Sequence, residues 1–261
     1  RGMKARPPLI SVEATSLAVG LDGSRAGWVV VAACWSPARP EAIDWQGRIV
    51  PTLADALAAW PEAATVAIDI PIGLTESGPR LCDRLGRAVL PTSRRSSIFP
   101  APVRAALAGR TRAEADALHR QADGRGVAAQ TFNLFPKIRE VDDWLQSHSE
   151  WRPRVVEAHP EVVFTIWNGN GQGPPLDSKK TTQGQHQRAD LIRGQWGPGP
   201  HNQIRTSLHD AGHRRADFAE DDLLDAFAVV RAAIRRTQGT AFSWPDPPET
   251  DRFGLIMALF A

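Results

Sequence analysis

The stretch Leu17-Ala18-Val19-Gly20-Leu21-Asp22-Gly23-Ser24 constrains this chain more than any other. A short apolar run closed by a turn signal reads as a buried strand. It delivers one carboxylate, Asp22, to the point where the chain breaks at glycine. An aspartate at the exit of a central strand stands at a sheet edge, where a metal, a phosphate or a sugar hydroxyl can reach it. Asp-Gly is also a common hairpin pair, so Asp22 alone is divided about evenly between turn former and site residue. The balance turns on whether other carboxylates arrive at comparable points.

They do. Gly27 to Trp35 is a second apolar run, and the short link from Gly23 makes the pair an antiparallel hairpin. Ala42–Trp45 through Ile49-Val50 gives a third strand, with a bulge or bend expected at Gly47. Thr52 caps a helix that ends at Trp60, before Pro61. Thr65–Ile70 is the next buried strand and carries Asp69 near its end. A helical crossover between strands makes the fourth parallel to the first, which puts Asp69 and Asp22 at the same end of the sheet. Arg154–Ala158 is a fifth strand carrying Glu157. The late helix opening at Glu220 buries Leu223, Phe227, Val230 and Ile234 at helical spacing. Asp222 and Asp225, three apart, project from neighbouring positions on it. The helix dipole explains acids in the first turn but explains Asp225, a turn further in, less well.

Residues 79–150 lack strands and read as a largely helical insertion or cap over the sheet edge, with a capping box at Thr111 and Glu114. An amphipathic helix is expected from Phe132 to Leu145. The loop Pro91–Pro100 holds Arg95 and Ser96, and the Gly-, Pro- and Lys-rich stretch 169–184 holds Lys179 and Lys180. Each is either solvated surface or a phosphate contact, since Arg forks and hydroxyls are the usual backbone ligands of nucleic acids. The C-terminal run Gly254–Leu259 is expected to pack as a closing element. The fold class is thus α/β. A mixed five-stranded sheet is expected, antiparallel in strands 1–3 and parallel thereafter, in a single domain over residues 16–261 behind an N-terminal tail of residues 1–15.

Composition narrows the function. Hydrophobic content of 42% and charged content of 23% fit a globular protein with a sizeable core. No apolar run is long enough for a membrane helix, and Arg1–Pro8 lacks a signal-peptide core. Two cysteines are too few for a disulfide framework or a four-ligand zinc site, so the cytoplasm is the expected compartment. A net charge of +2 excludes wholesale electrostatic attraction to nucleic acid, although basic pairs such as Arg94-Arg95 and Lys179-Lys180 would matter if several met at one cleft. There is no Walker-type phosphate loop, no GxGxxG after a strand and no HExxH.

Asp22, Asp69, Asp222 and Asp225, with Glu157 as a fifth, form the constellation. Hard dications such as Mg2+ or Mn2+ are held by carboxylates and water. Two of them about 4 Å apart can activate a water and stabilise the leaving oxygen of a phosphodiester. Without cations such a cluster repels itself, so metal dependence of both activity and stability is expected.

These residues carry a resemblance. Acids on strands one and four with Asp222-Leu223-Leu224-Asp225-Ala226 on the final helix resemble the ribonuclease-H-like fold and the last-helix signature of bacterial Holliday-junction resolvases. More closely, the chain resembles the domain-of-unknown-function family 429, predicted ribonuclease-H-like nucleases. The matching stretches include Gly20–Gly23 with Gly27-Trp28, Ile68–Leu74, Cys82–Arg84, Arg95–Pro100, Lys137-Ile138, Glu157–Glu161, Ser178–Thr181 and Asp221–Ala226. The resemblance implies a metal-dependent nuclease of structured DNA or RNA. Asp22, Asp69, Asp222 and Asp225 would be metal ligands, Glu157 a further catalytic acid, and Arg95, Ser96, Lys179 and Lys180 phosphate contacts. Nucleic acid is the expected partner, a homodimer is left open, and no membrane is involved. His159, followed by proline, reads as structural; Asp83 and Glu161 read as partners of basic residues or caps as much as ligands. Two alternatives stand beside this reading: a non-catalytic module that kept the acidic pocket, and an actin-like phosphotransferase, disfavoured because only one copy of the first motif is present.

Overall fold

The computed structural model describes residues 15–261; the expected N-terminal tail lies outside them apart from Thr15. In chain order the strands are β1 (Ser16–Ser24), β2 (Gly27–Ser36), β3 (Arg39–Val50), β4 (Thr65–Ile68), β5 (Val155–Glu157), β6 (Ser243–Thr250) and β7 (Ile256–Phe260). The helices are α1 (Leu53–Ala59), α2 (Leu81–Val89), α3 (Arg112–Asp123), α4 (Ala129–Asn133), α5 (Phe135–Ser147), α6 (Pro160–Trp167), α7 (Thr182–Trp196), α8 (Gly199–Asp210) and α9 (Glu220–Thr237). All the strands join one mixed sheet in the order β3-β2-β1-β4-β5-β7-β6.

The sheet therefore has seven strands and not the expected five. The closing element is a hairpin: β7 runs parallel to β5 through Glu157 and Leu259, and β6 pairs antiparallel with β7. The sequence hides β6 because it carries Pro245, Pro247 and Pro248, residues that remove ladder donors and argue against a strand. They are tolerated here because β6 is the outermost strand of the sheet. A second correction concerns β3, which runs through Gly47 without a break; the register shift lies at Trp35/Ser36 on β2. Gly47 is needed for packing. A Cβ there would stand 2.3 Å from Cγ2 of Ile204 on α8.

Strand alternation builds two cores. Val29, Val31, Ala33 and Trp35 of β2 face the layer of α6, α7, α8 and α9, whereas Trp28, Val30 and Ala32 face α1 and the insertion helix α5. Pro136 sits in the first turn of α5, where its missing N–H costs nothing. Thr52 accepts from the Asp55 amide at the start of α1, and Thr111 and Glu114 close a capping box on α3.

What places the acids is the meeting of β1, β4 and α9. Leu21 pairs with Ile68 in the parallel β1/β4 ladder, and Ile68 pairs with Glu157 in β4/β5. The Asp69 amide donates to Leu21 O at 3.1 Å, so Asp22 and Asp69 leave adjacent strands side by side. Helix α9 lies directly on β1 at Gly20, where an added Cβ would be 2.3 Å from Val230 N and 2.8 Å from Ala226 O. Only a residue without a side chain allows that approach, which brings Asp225, one residue before Ala226, over Asp22. Gly20→Ala must push two backbones apart and is expected to lower stability by about 1–3 kcal/mol, a Tm fall of roughly 2–4 °C per kcal/mol. Gly194→Ala on α7, with open space around it, is the control and should be neutral or slightly stabilising. Thermal melts of the two variants check this; equal shifts would contradict the close approach.

Candidate functional site

Asp22 at the exit of β1 is 7% exposed and Asp225 on α9 is 1% exposed; Asp69 is half-buried. The Asp69 carboxyl lies beside that of Asp22, close enough for the two to interact. Burial, reinforced by the charges of Asp225 and Asp69, pushes Asp22 well above the usual carboxylate range. Burial also raises Asp69, with nearby His159 and Lys179 opposing. Asp225 is pushed up by burial to about 6, with Lys179 opposing.

One amine enters this cluster. Lys179 Nζ bonds Asp225 Oδ2. Burial alone would depress the amine, but Asp225 and Asp22 hold its pKa above the usual lysine value. A second lysine approaches from the insertion. Lys137 of α5 lies with its Nζ 3.8 Å from the centre of the Trp28 ring and feels the charge of Asp22. Its pKa is lowered by burial. Glu140, one turn on, accepts from Trp28 Nε1 at 3.2 Å and from the Leu53 amide, tying α5 to β2 and α1.

Asp222 is placed differently. It sits in the first turn of α9, half-buried, and its Oδ2 accepts from the Ala219 amide at 2.8 Å. Its pKa is raised, chiefly by burial. Its neighbour Asp221, which sequence reasoning passed over as a first-turn acid, pairs with Lys180 at 2.5 Å. Glu157 stands at the end of β5 with both oxygens committed. Arg80 donates to them at 2.7 and 2.9 Å, and the Ile72 amide donates at 2.8 Å. Arg80 also bonds Asp83 and the carbonyls of Ile72 and Gly73. Glu161 is similarly engaged, by Arg188 at 2.6 Å.

A cleft of about 440 Å³ opens beside these groups. Asp69, Glu157, His159, Lys179 and Lys180 line it, and Phe99, 42% exposed, stands at its edge. The expected phosphate-contact pair is displaced by one residue. Thr92–Ser97 is a 3-10 turn in which every third residue shares a face; Arg94 and Ser97 face the cleft, and Arg95 and Ser96 do not line it. Arg95 instead donates to Leu90 O. Arg94 reaches the Leu176 carbonyl at 3.0 Å, so the stretch 169–184 is pinned there, at Lys179 and Lys180, and by Thr181, which caps α7.

The donor set can be tested against a divalent cation. All the oxygens are carboxylate, as a hard dication prefers. Asp225 Oδ1 is buried with no hydrogen-bond partner, an arrangement that is costly unless a cation or donor arrives. Among the described residues no three His, Cys, Asp or Glu side chains converge as ligands on one point; Lys179 provides the positive charge there. The donors are of the type a dication takes, but Lys179 occupies Asp225 Oδ2.

The raised pKa values carry a sign. Asp225 is protonated more readily folded than unfolded, so its contribution to stability is present below about pH 4 and is lost as pH rises through about 6. Metal-free protein should lose on the order of 2–3 kcal/mol across that window from this group. Asp225→Asn should flatten that part of a plot of Tm against pH recorded in EDTA. An unchanged profile in the variant would contradict the assignment.

No helix among the described residues is long and apolar enough to cross a membrane. No curated protein and no solved structure matches the chain. One family model matches, over residues 20–250, described as a protein of unknown function (DUF429). That span runs from the glycine beneath α9 to the last residue of β6 and includes every acid described above, so the chain belongs to the DUF429 family.

Proposed function

We propose that this protein is a metal-dependent phosphodiesterase with a ribonuclease-H-like frame, acting on structured DNA or RNA with Mg2+ or Mn2+. One observation carries the reading: three buried or half-buried carboxylates from three separate elements cluster beside a cleft that Asp69 lines, and Lys179, which lines the same cleft, counters their charge. A fold does not hold such self-repelling acids together for stability, and perturbed acids in a cleft mark functional sites. The strand order β3-β2-β1-β4-β5, with β2 antiparallel to its neighbours, supports the frame.

Asp22, Asp69 and Asp225 would hold the ions, with Asp222 reaching them from its capping position. Bound there, the ions would supply an activated water and charge neutralisation at the leaving oxygen. Lys179 leaves Asp225 for the phosphate in this account and keeps the acids paired when substrate is absent. Arg94, Ser97 and Lys180 line the cleft and would contact a phosphodiester's other oxygens. Phe99 offers a ring on which a base can stack. Glu157 acts through Arg80, as a positioning residue for the turn after β4.

Junction, RNA–DNA hybrid and single-stranded substrates incubated with Mg2+ or Mn2+ test the proposal. Cleavage is expected with metal, none with EDTA, and none by Asp22→Asn. Cleavage by the variant at the wild-type rate, or no cleavage of any substrate by the wild type, would count against it, the latter favouring a non-catalytic binding module.

A further inference from the structure

A second hollow, of about 830 Å³, lies beyond the carboxylate cluster, between α7, α8, the start of α9 and the β1–β2 turn. Four arginines line it, Arg25, Arg193, Arg205 and Arg215, together with His201 and His209. Two acids share the lining, and both are engaged: Glu220 with His201 at 3.0 Å and Arg205 at 4.0 Å, Asp221 with Lys180. Arg193 is paired with Asp190. Arg25 and Arg215 are exposed and make no ion pair among the described residues; Arg25 reaches only the Arg215 carbonyl, at 3.3 Å. Arg25 and Arg215, without a carboxylate partner among the described residues and beside the paired Arg193 and Arg205, suit an anion with several oxygens, because each guanidinium fork can grip two of them.

The hollow is continuous in composition with the cleft. Asp221 lines the hollow, Lys180 lines the cleft, and the ion pair between them is the shared wall. Arg25 is three residues past Asp22, within about 10 Å along the chain. A run of phosphates laid over Arg205, Arg215 and Arg25 would therefore lead to the carboxylate cluster. A lone small anion would not need arginines from the hairpin, α8 and the loop before α9 at once.

We infer that this groove is a track for the phosphate backbone of a nucleic-acid strand, feeding the carboxylate centre. What lies at the end of the track rests on the phosphodiesterase reading; the binding does not. The two are separated by measuring binding in EDTA, where no hydrolysis occurs. Fluorescence anisotropy of labelled DNA and RNA oligonucleotides, single-stranded and duplex, is compared for wild type and the triple variant Arg25→Gln/Arg205→Gln/Arg215→Gln. Three lost phosphate contacts should weaken binding about 10–100-fold and make the slope of log K against log salt shallower by roughly 2. A thermal melt of the variant and the single change Arg215→Gln, at an exposed position, guard against loss of fold; the single variant should lose a fraction of the affinity and about one unit or less of slope. No binding by wild type at low salt, or equal affinity and slope in the triple variant, would overturn the inference. Tight binding without cleavage would count against the hydrolase reading and leave the track standing.

Discussion

Arg80→Met is expected to remove about 3–5 kcal/mol of folding stability, the cost of leaving buried charges without their partner. Arg80 is 2% exposed and Asp83 1%. Its guanidinium meets Glu157, Asp83 and two backbone carbonyls, and these charges hold its pKa up despite burial. Methionine fills a similar volume but leaves Glu157 and Asp83 facing one another in an apolar setting, and burial already raises Glu157. Neutralising the acids as well, in Arg80→Met/Glu157→Gln/Asp83→Asn, should recover much of the loss, because the penalty belongs to the stranded charges. Urea denaturation of the three proteins decides this. A loss under about 1 kcal/mol in the single variant would mean that Arg80 is not the tie between β5, α2 and the turn after β4.

Asp22→Asn is expected to move activity and stability in opposite directions. Loss of a carboxylate that would hold the proposed ions should lower the cleavage rate by about 1,000-fold or more, roughly 4 kcal/mol of transition-state stabilisation. The same change removes a buried acid whose charged form is opposed by burial and by Asp225 and Asp69. Metal-free protein at neutral pH should therefore gain stability, seen as a rise in Tm. Adding Mn2+ should stabilise the wild type and not the variant. A substitution that lowers both activity and metal-free stability would point to a structural aspartate, the turn former that Asp-Gly also allows.

Much of this arrangement is legible in the chain because it depends on local pattern. Apolar runs closing at Asp22 and Asp69 mark β1 and β4, the helical crossover makes them parallel, and spacing along α9 sets Asp225 beside the buried face. Three things are not legible, each for a physical reason. The hairpin β6–β7 is masked by proline, which only the edge position excuses. The choice between Arg94 and Arg95 depends on the period of a 3-10 turn, three residues and not a loop's irregular path. The capture of Glu157 by Arg80 joins residues 77 apart, and nothing in either local stretch announces it. The basic groove is hidden for the same reason: its arginines come from the β1–β2 turn, α7, α8 and the loop before α9, so the pair Arg214-Arg215 shows along the sequence but its convergence with Arg25 and Arg205 does not.

Titrating Mn2+ into metal-free protein tests the role of Asp22, Asp69 and Asp225 most directly. Calorimetry in two buffers of different ionisation heat, at a pH just below 6, should show saturable binding with proton release, because Asp225, pushed up to about 6 by burial, carries a proton there that a cation must displace. Asp22→Asn should abolish the binding or weaken it severely. Absence of saturable binding by the wild type, or the same isotherm and proton release in the variant, would contradict a cation site built from these carboxylates.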